Sequence, residues 1–149
     1  MSIVIDTTRI NPAEGIQKIL KDPDYAQYFT GWAVNTGQLN DSVLTPMILI
    51  RNTGGISGEP RVAQDYPTVQ LIARGAPGSG GQALTYQKLD ICKQILLGIP
   101  SRPVLYPNLS SVTMRGEITD SGYDDKNRPL HTVNFQLIVF YESSGHREA

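Results

Sequence analysis

From Leu130 to Tyr141 the chain places Val133, Phe135, Leu137, Val139 and Tyr141 at every second position, with Thr132, Asn134 and Gln136 between the first of them. Successive side chains of an extended chain point to opposite faces, so this spacing calls for a strand with one face turned to a core. Such a strand needs neighbours for its backbone and a second layer over its apolar face. Residues 109–119 alternate in the same way, with Val112, Met114, Gly116 and Ile118 inward. The two runs predict an antiparallel pair joined by the polar segment 120–129, whose Asp, Ser, Gly, Asn and Pro content suits a turn.

The layer over that sheet is also written in the sequence. Asn11-Pro12-Ala13-Glu14 is a helix start: Asn11 caps, Pro12 fits the first position, and Glu14 stands three after the cap. Ile16, Ile19 and Leu20 then share a face, and Asp22-Pro23-Asp24 ends the run. A longer helix is expected over residues 83–97, where Leu84, Ile91 and Ile95 lie beside Leu89, Cys92 and Leu96 in a wide apolar stripe. Gly98 and Pro100 stop it. Met47-Ile48-Leu49-Ile50-Arg51 reads as a central strand, residues 68–74 as another, and Trp32-Ala33-Val34 as a short one. Between them, residues 53–67 hold Gly54, Gly55, Gly58, Pro60 and Pro67, which predicts an exposed loop of about fifteen residues, the length at which loops usually serve a purpose. The expectation is one α+β domain over residues 1–149, with a mainly antiparallel four- to five-stranded sheet, two helices on one face and loose ends.

Charge narrows the function. A formal net charge of -1 and a pI near 6.1 remove the basic footprint of a protein that grips many phosphates. The single cysteine, Cys92, supplies neither a disulfide framework nor a zinc cluster. Residues 1–10 lack the basic start and apolar stretch of a signal peptide, and no apolar run is long enough to cross a bilayer.

The chemical motifs fail at specific positions. Gly78-Ser79-Gly80-Gly81-Gln82-Ala83 matches a relaxed dinucleotide fingerprint between a strand and a helix, yet no carboxylate stands about twenty positions on, where Gly98-Ile99-Pro100-Ser101-Arg102 occurs. Gln82 follows Gly80-Gly81 where a P-loop needs lysine, and neither Ser57 nor Ser79 has the flanking glycines of a nucleophile elbow. His131 and His146 are the only histidines, the first opening a strand as a surface residue and the second in the tail. Asp120, Asp124 and Asp125 resemble the start of a calcium loop, but Asp125 and His131 occupy its glycine and glutamate positions. Arg51, Arg74, Arg115 and Arg128 are most simply solvated strand ends or partners of acidic groups on a neighbour. No catalytic residue, cofactor site or metal site emerges.

The order of elements carries a resemblance. A Thr53-Gly54-Gly55 segment, the strand Tyr66-Pro67-Thr68-Val69-Gln70-Leu71-Ile72-Ala73-Arg74-Gly75, a helix ending Ile95-Leu96-Leu97-Gly98, and Asn127-Arg128-Pro129 leading into Thr132-Val133-Asn134-Phe135-Gln136-Leu137 together resemble the tail terminator proteins of tailed bacteriophages, over residues 11–142. These are also known as tail completion or minor capsid proteins. The resemblance implies a non-enzymatic virion protein, made in the host cytoplasm and built into the tail. It implies a homo-oligomeric, usually hexameric, ring that ends polymerisation of the tail tube protein and meets a head–tail connector or stopper. It implies no membrane, no cofactor and no sequence-specific nucleic acid, with DNA passing through the lumen. By position, the expected assembly residues are Arg51, Glu59, Arg61, Asp65, Tyr66 and Arg74 around the first loop, and Tyr123, Asp124, Asp125 and Arg128 around the second. Another head–tail joining or tail tube subunit is the near alternative, and a nucleotide-binding domain using residues 78–81 the distant one.

Overall fold

In the computed structural model the described residues are 10–40, 42–59, 64–77, 81–98, 106 and 109–140. The order is α1 (Pro12–Leu20), a 3-10 turn (Ala26–Phe29), β1 (Ala33–Thr36), β2 (Met47–Glu59), β3 (Gln64–Arg74), α2 (Gln82–Leu97), β4 (Leu109–Met114), β5 (Thr119–Tyr123) and β6 (Pro129–Phe140). Six strands form one sheet in the order β1-β2-β3-β6-β4, with β5 also paired to β6. β4 follows β6 along residues 135–139 and β5 along 129–132, so the two lie end to end on one edge.

The α+β class and the two helices on one face agree with the sequence, while the sheet is larger and mixed. β1 runs parallel to β2, and all other pairs are antiparallel. The expected loop over residues 53–67 is mostly strand: β2 continues to Glu59 and β3 begins at Gln64. Glycine does not break β2 because Gly54 and Gly55, with φ of 90° and 117°, sit in an irregularity of the β2–β3 register. At Gly55 a Cβ would lie 2.3 Å from the Tyr66 carbonyl oxygen, so only glycine permits that approach. The run over 109–119 is likewise two strands, divided at Gly116 (φ 92°). Part of the expected polar loop 120–129 is β5, whose five residues are all exposed and give no apolar signal. Residues 1–9 and 141–149, where the sequence predicted loose ends, and most of the connector 99–108 lie outside the described residues.

The core has a simple cause. Strand alternation sends Ile48 and Ile50, Val69, Leu71 and Ala73, and Val133, Phe135, Leu137 and Val139 to one face, where α1 and α2 cover them. α1 buries Ile16, Ile19 and Leu20, as its spacing predicts, and the Asn11 side chain caps it by accepting from the Ala13 N–H. The buried stripe of α2 is Thr85, Leu89, Cys92 and Leu96; Ile91 and Ile95 flank it, and Leu84 is exposed. Phe135, fully buried at the centre, contributes roughly 2–3 kcal/mol by leaving water.

The second sheet face divides in two. At one end Met47, Leu49, Ile72 and Arg74 are buried, and the connection from β1 to β2 lies on that side. Toward the other end the face is polar and open, with Arg51 level with Gln70 and Asn134, and Thr68 level with Gln136 and Thr113.

Candidate assembly surfaces

Three of the sequence-predicted residues meet inside the molecule. The turn between β5 and β6 folds around Asp124, whose carboxylate accepts from the backbone N–H of Lys126 (3.0 Å) and of Arg128 (2.9 Å) and from Arg128 Nε (2.7 Å). Asn127, at φ 60°, closes the turn. Burial pushes the Asp124 carboxyl up, and the hydrogen bonds and charge of Arg128, with the Lys126 N–H, outweigh it and hold the group below the usual carboxylate range. Arg128 Nη1 reaches the Val43 carbonyl at 2.8 Å, and Arg74 Nη2 donates to the same oxygen at 2.8 Å while Nη1 donates to Asn40. Two guanidinium groups thus clamp the β1–β2 connection onto the sheet. Arg74 and Arg128 are 1% and 0% exposed, so neither is a solvated strand end. Arg128 pairs with the Asp124 carboxylate and both donate to backbone carbonyls, and the sequence gives no sign of which carbonyls these are.

Arg51, Glu59, Asp65 and Tyr66 belong to a different region, around the half of β2 that β1 leaves uncovered. β1 pairs only with Met47 to Ile50, and among the described residues no strand lies beyond 51–59 on that side. Arg51 is exposed there, at a polar groove of about 470 Å³ lined by the α1 cap Asn11, Glu14 of α1, the end of β1 at Thr36 and β2. Asp65 and Tyr66 line a second groove of about 460 Å³ with Asn11, Gly54, Tyr106 and Val139. Asn11 belongs to both grooves and is tied to β2 by Asn52, whose Nδ2 donates to Asn11 Oδ1 (2.8 Å) and whose Oδ1 accepts from Ala13 N–H (3.0 Å). Sequence reasoning missed Asn52. Glu59 ends β2, level with Gln64, and Arg61 lies outside the described residues. Tyr123 and Asp125 are exposed at the opposite sheet edge, away from these grooves.

The open sheet face carries Arg51 and Arg115, with Arg115 Nη1 held by Gln136 Oε1 at 3.1 Å. Thr53, Thr68 and Asn134 share a shallow groove with Arg115 on that face. His131 is a core-side residue, 4% exposed, with its ring edge on Tyr86; the surface reading of its position does not hold. Cys92 is buried under α2, and burial pushes its thiol up, which makes it a poor nucleophile. Among the described residues no three His, Cys, Asp or Glu side chains gather as a metal site, and no helix is long and apolar enough to cross a membrane. His146 and residues 78–80 of the glycine segment lie outside the described residues.

Fold and surfaces define a small α+β domain whose distinctive features are exposed strand edges and polar faces. The family model described as "Bacteriophage tail terminator protein" matches residues 37–141, from the end of β1 through β6. The chain belongs to that family, and its role is in the structure of the phage tail. No curated protein matches the sequence.

Proposed function

We propose that this chain is a virion protein that forms a hexameric ring on the head-proximal end of the tail tube, ends tube polymerisation and presents the surface that joins the head connector or stopper. Membership of the tail terminator family carries this reading. The sheet edges left open among the described residues support it, because unpaired strand edges favour association with further protein. In this reading the chain is not an enzyme and needs no cofactor. It is made in the host cytoplasm and ends in the virion tail, with DNA passing through the ring without being read. The β2–β3 hairpin and the turn at Asp124 and Asp125 are the segments offered to the tube, the lumen or a neighbour.

A phage lacking this protein is expected to make tails of uncontrolled length, visible by negative-stain microscopy. Tails of normal length that fail to join heads would point instead to a head–tail joining subunit. Native mass spectrometry of the purified protein, alone and with purified tubes, is expected to show a six-subunit ring. A protein that stays monomeric and never attaches to tubes would overturn the proposal.

A further inference from the structure

We infer that the half-edge of β2 left open by β1 receives the β4–β5 edge of a second copy, so that neighbouring subunits share one continuous sheet. The inference deepens the ring reading and rests on it for closure of the assembly.

β2 is thirteen residues long, and β1 covers only its first four. The rest is exposed at Arg51, Asn52, Thr53, Gly54, Gly55 and Gly58. An incoming strand would continue the line of β1, entering through the groove between Thr36, Arg51 and Asn11. The far edge of the same sheet is also open among the described residues, because β4 and β5 each pair only with β6. All five residues of β5 are exposed.

Proline and lysine are two of the devices that guard unpaired edges, beside bulges and other charged side chains. Neither residue occurs in 51–59 or in 109–123. The two edges share two features. Each contains positive-φ glycine, at Gly54 and Gly55 in one and at Gly116 and Gly122 in the other. Arg51 and Glu14 stand exposed at the receiving groove, while Arg115, Glu117 and Asp120 stand exposed on the donor edge, with Glu117 4.0 Å from Lys93 of its own chain, so both sides carry charges of both signs. Because the edges are different surfaces of one chain, their union is head-to-tail, the kind of contact that generates rings. A second copy is therefore the occupant that the molecule itself supplies.

Disulfide trapping tests this directly. Thr53, Ser111, Thr113, Thr119 and Ser121 all lie on the open sheet face. The full-length protein would carry Thr53→Cys with each of Ser111→Cys, Thr113→Cys, Thr119→Cys and Ser121→Cys in turn. Within one chain β3 and β6 separate these positions, which puts them roughly 14 Å apart at ordinary strand spacing. That exceeds the reach of about 7 Å for a disulfide, so any bond formed links two chains. Buried Cys92 does not compete. The expected result, under mild oxidation of assembled rings, is a ladder of linked subunits for one pair or two adjacent pairs, ending at the ring number. Single-cysteine variants should melt as the parent does; if Thr53→Cys does not, Arg51→Cys replaces it on the same face. Rings that form while no pair cross-links would overturn edge sharing and leave the ring reading standing. Absence of any oligomer, alone or on tubes, would sink the ring reading itself and this inference with it.

Discussion

The carbonyl of Val43 accepts from Arg74 and from Arg128, residues 31 and 85 positions later in the chain. A buried cation is tolerable only when its donors are used, and here they hold a connection that has no strand or helix among its described residues. Arg128→Met is expected to lower stability by about 3 kcal/mol, the low end for a broken buried pair because Asp124 keeps some solvent contact. Urea denaturation measures this, and a loss under about 0.5 kcal/mol would contradict the clamp. The variant should also change the acid limb. Asp124 has a depressed carboxyl in the folded state, so its contribution is complete above the unfolded value of about 4 and disappears as pH falls through the folded one. The parent should therefore lose stability below about pH 4 more steeply than Arg128→Met, as thermal melting against pH would show. None of this was legible from residue type. An arginine at a strand end or beside a turn reads as solvated, and only the folded chain brings the Val43 carbonyl to Arg128 and the Asn40 and Val43 carbonyls to Arg74.

At the scale of elements, α1 is joined to β2 by a shared cap. The Ala13 N–H lies 3.0 Å from both Asn11 Oδ1 and Asn52 Oδ1, and Asn52 Nδ2 holds Asn11. Asn11→Ala and Asn52→Ala should each cost about 1 kcal/mol, and the double variant should cost less than their sum. Strict additivity in that cycle would show the two side chains to act separately. Asn11 was visible as a cap because capping is local, whereas Asn52 lies 41 positions away. Gly15 makes a similar point. In a helix, glycine to alanine normally stabilises by up to about 1 kcal/mol, but here the new Cβ would come within 2.3 Å of the Tyr106 ring. Gly15→Ala is expected to destabilise by about 1–3 kcal/mol in chemical denaturation, and a stabilising result would mean the ring moves freely aside. The length of β2 was hidden for a related reason: Gly54 and Gly55 signal a loop by composition, and only pairing with β3 turns them into an irregularity within a strand.

For the whole molecule, the division of labour between sheet faces matters more than any single site. One face is spent on the core with α1 and α2, one end of the other is closed by the arginine clamp, and what remains is open polar sheet and open edges. Those surfaces fit a protein that acts by meeting other subunits, in keeping with its family. The glycine segment before α2 supplies a discriminating measurement. Millimolar ATP, GTP or NAD should leave the melting temperature unchanged, since a site half filled at that concentration would already add about 0.4 kcal/mol and a tighter one more. A reproducible upward shift would restore the nucleotide-binding alternative.

The sequence by itself determined what depends on near neighbours. The alternation of β6, the cap and apolar face of α1, the span of α2 and the α+β class follow from spacing and local hydrogen bonding, and were readable because each signal sits within a few residues. The order of these elements was also enough to point to the tail terminator family. The tertiary structure alone decided that β1 runs parallel to β2, that β5 exists although wholly exposed, that Arg74 and Arg128 are buried, and which half of β2 stays uncovered. Each is settled by groups that meet across dozens of residues, where backbone pairing and desolvation outweigh any preference that a short stretch of sequence can express.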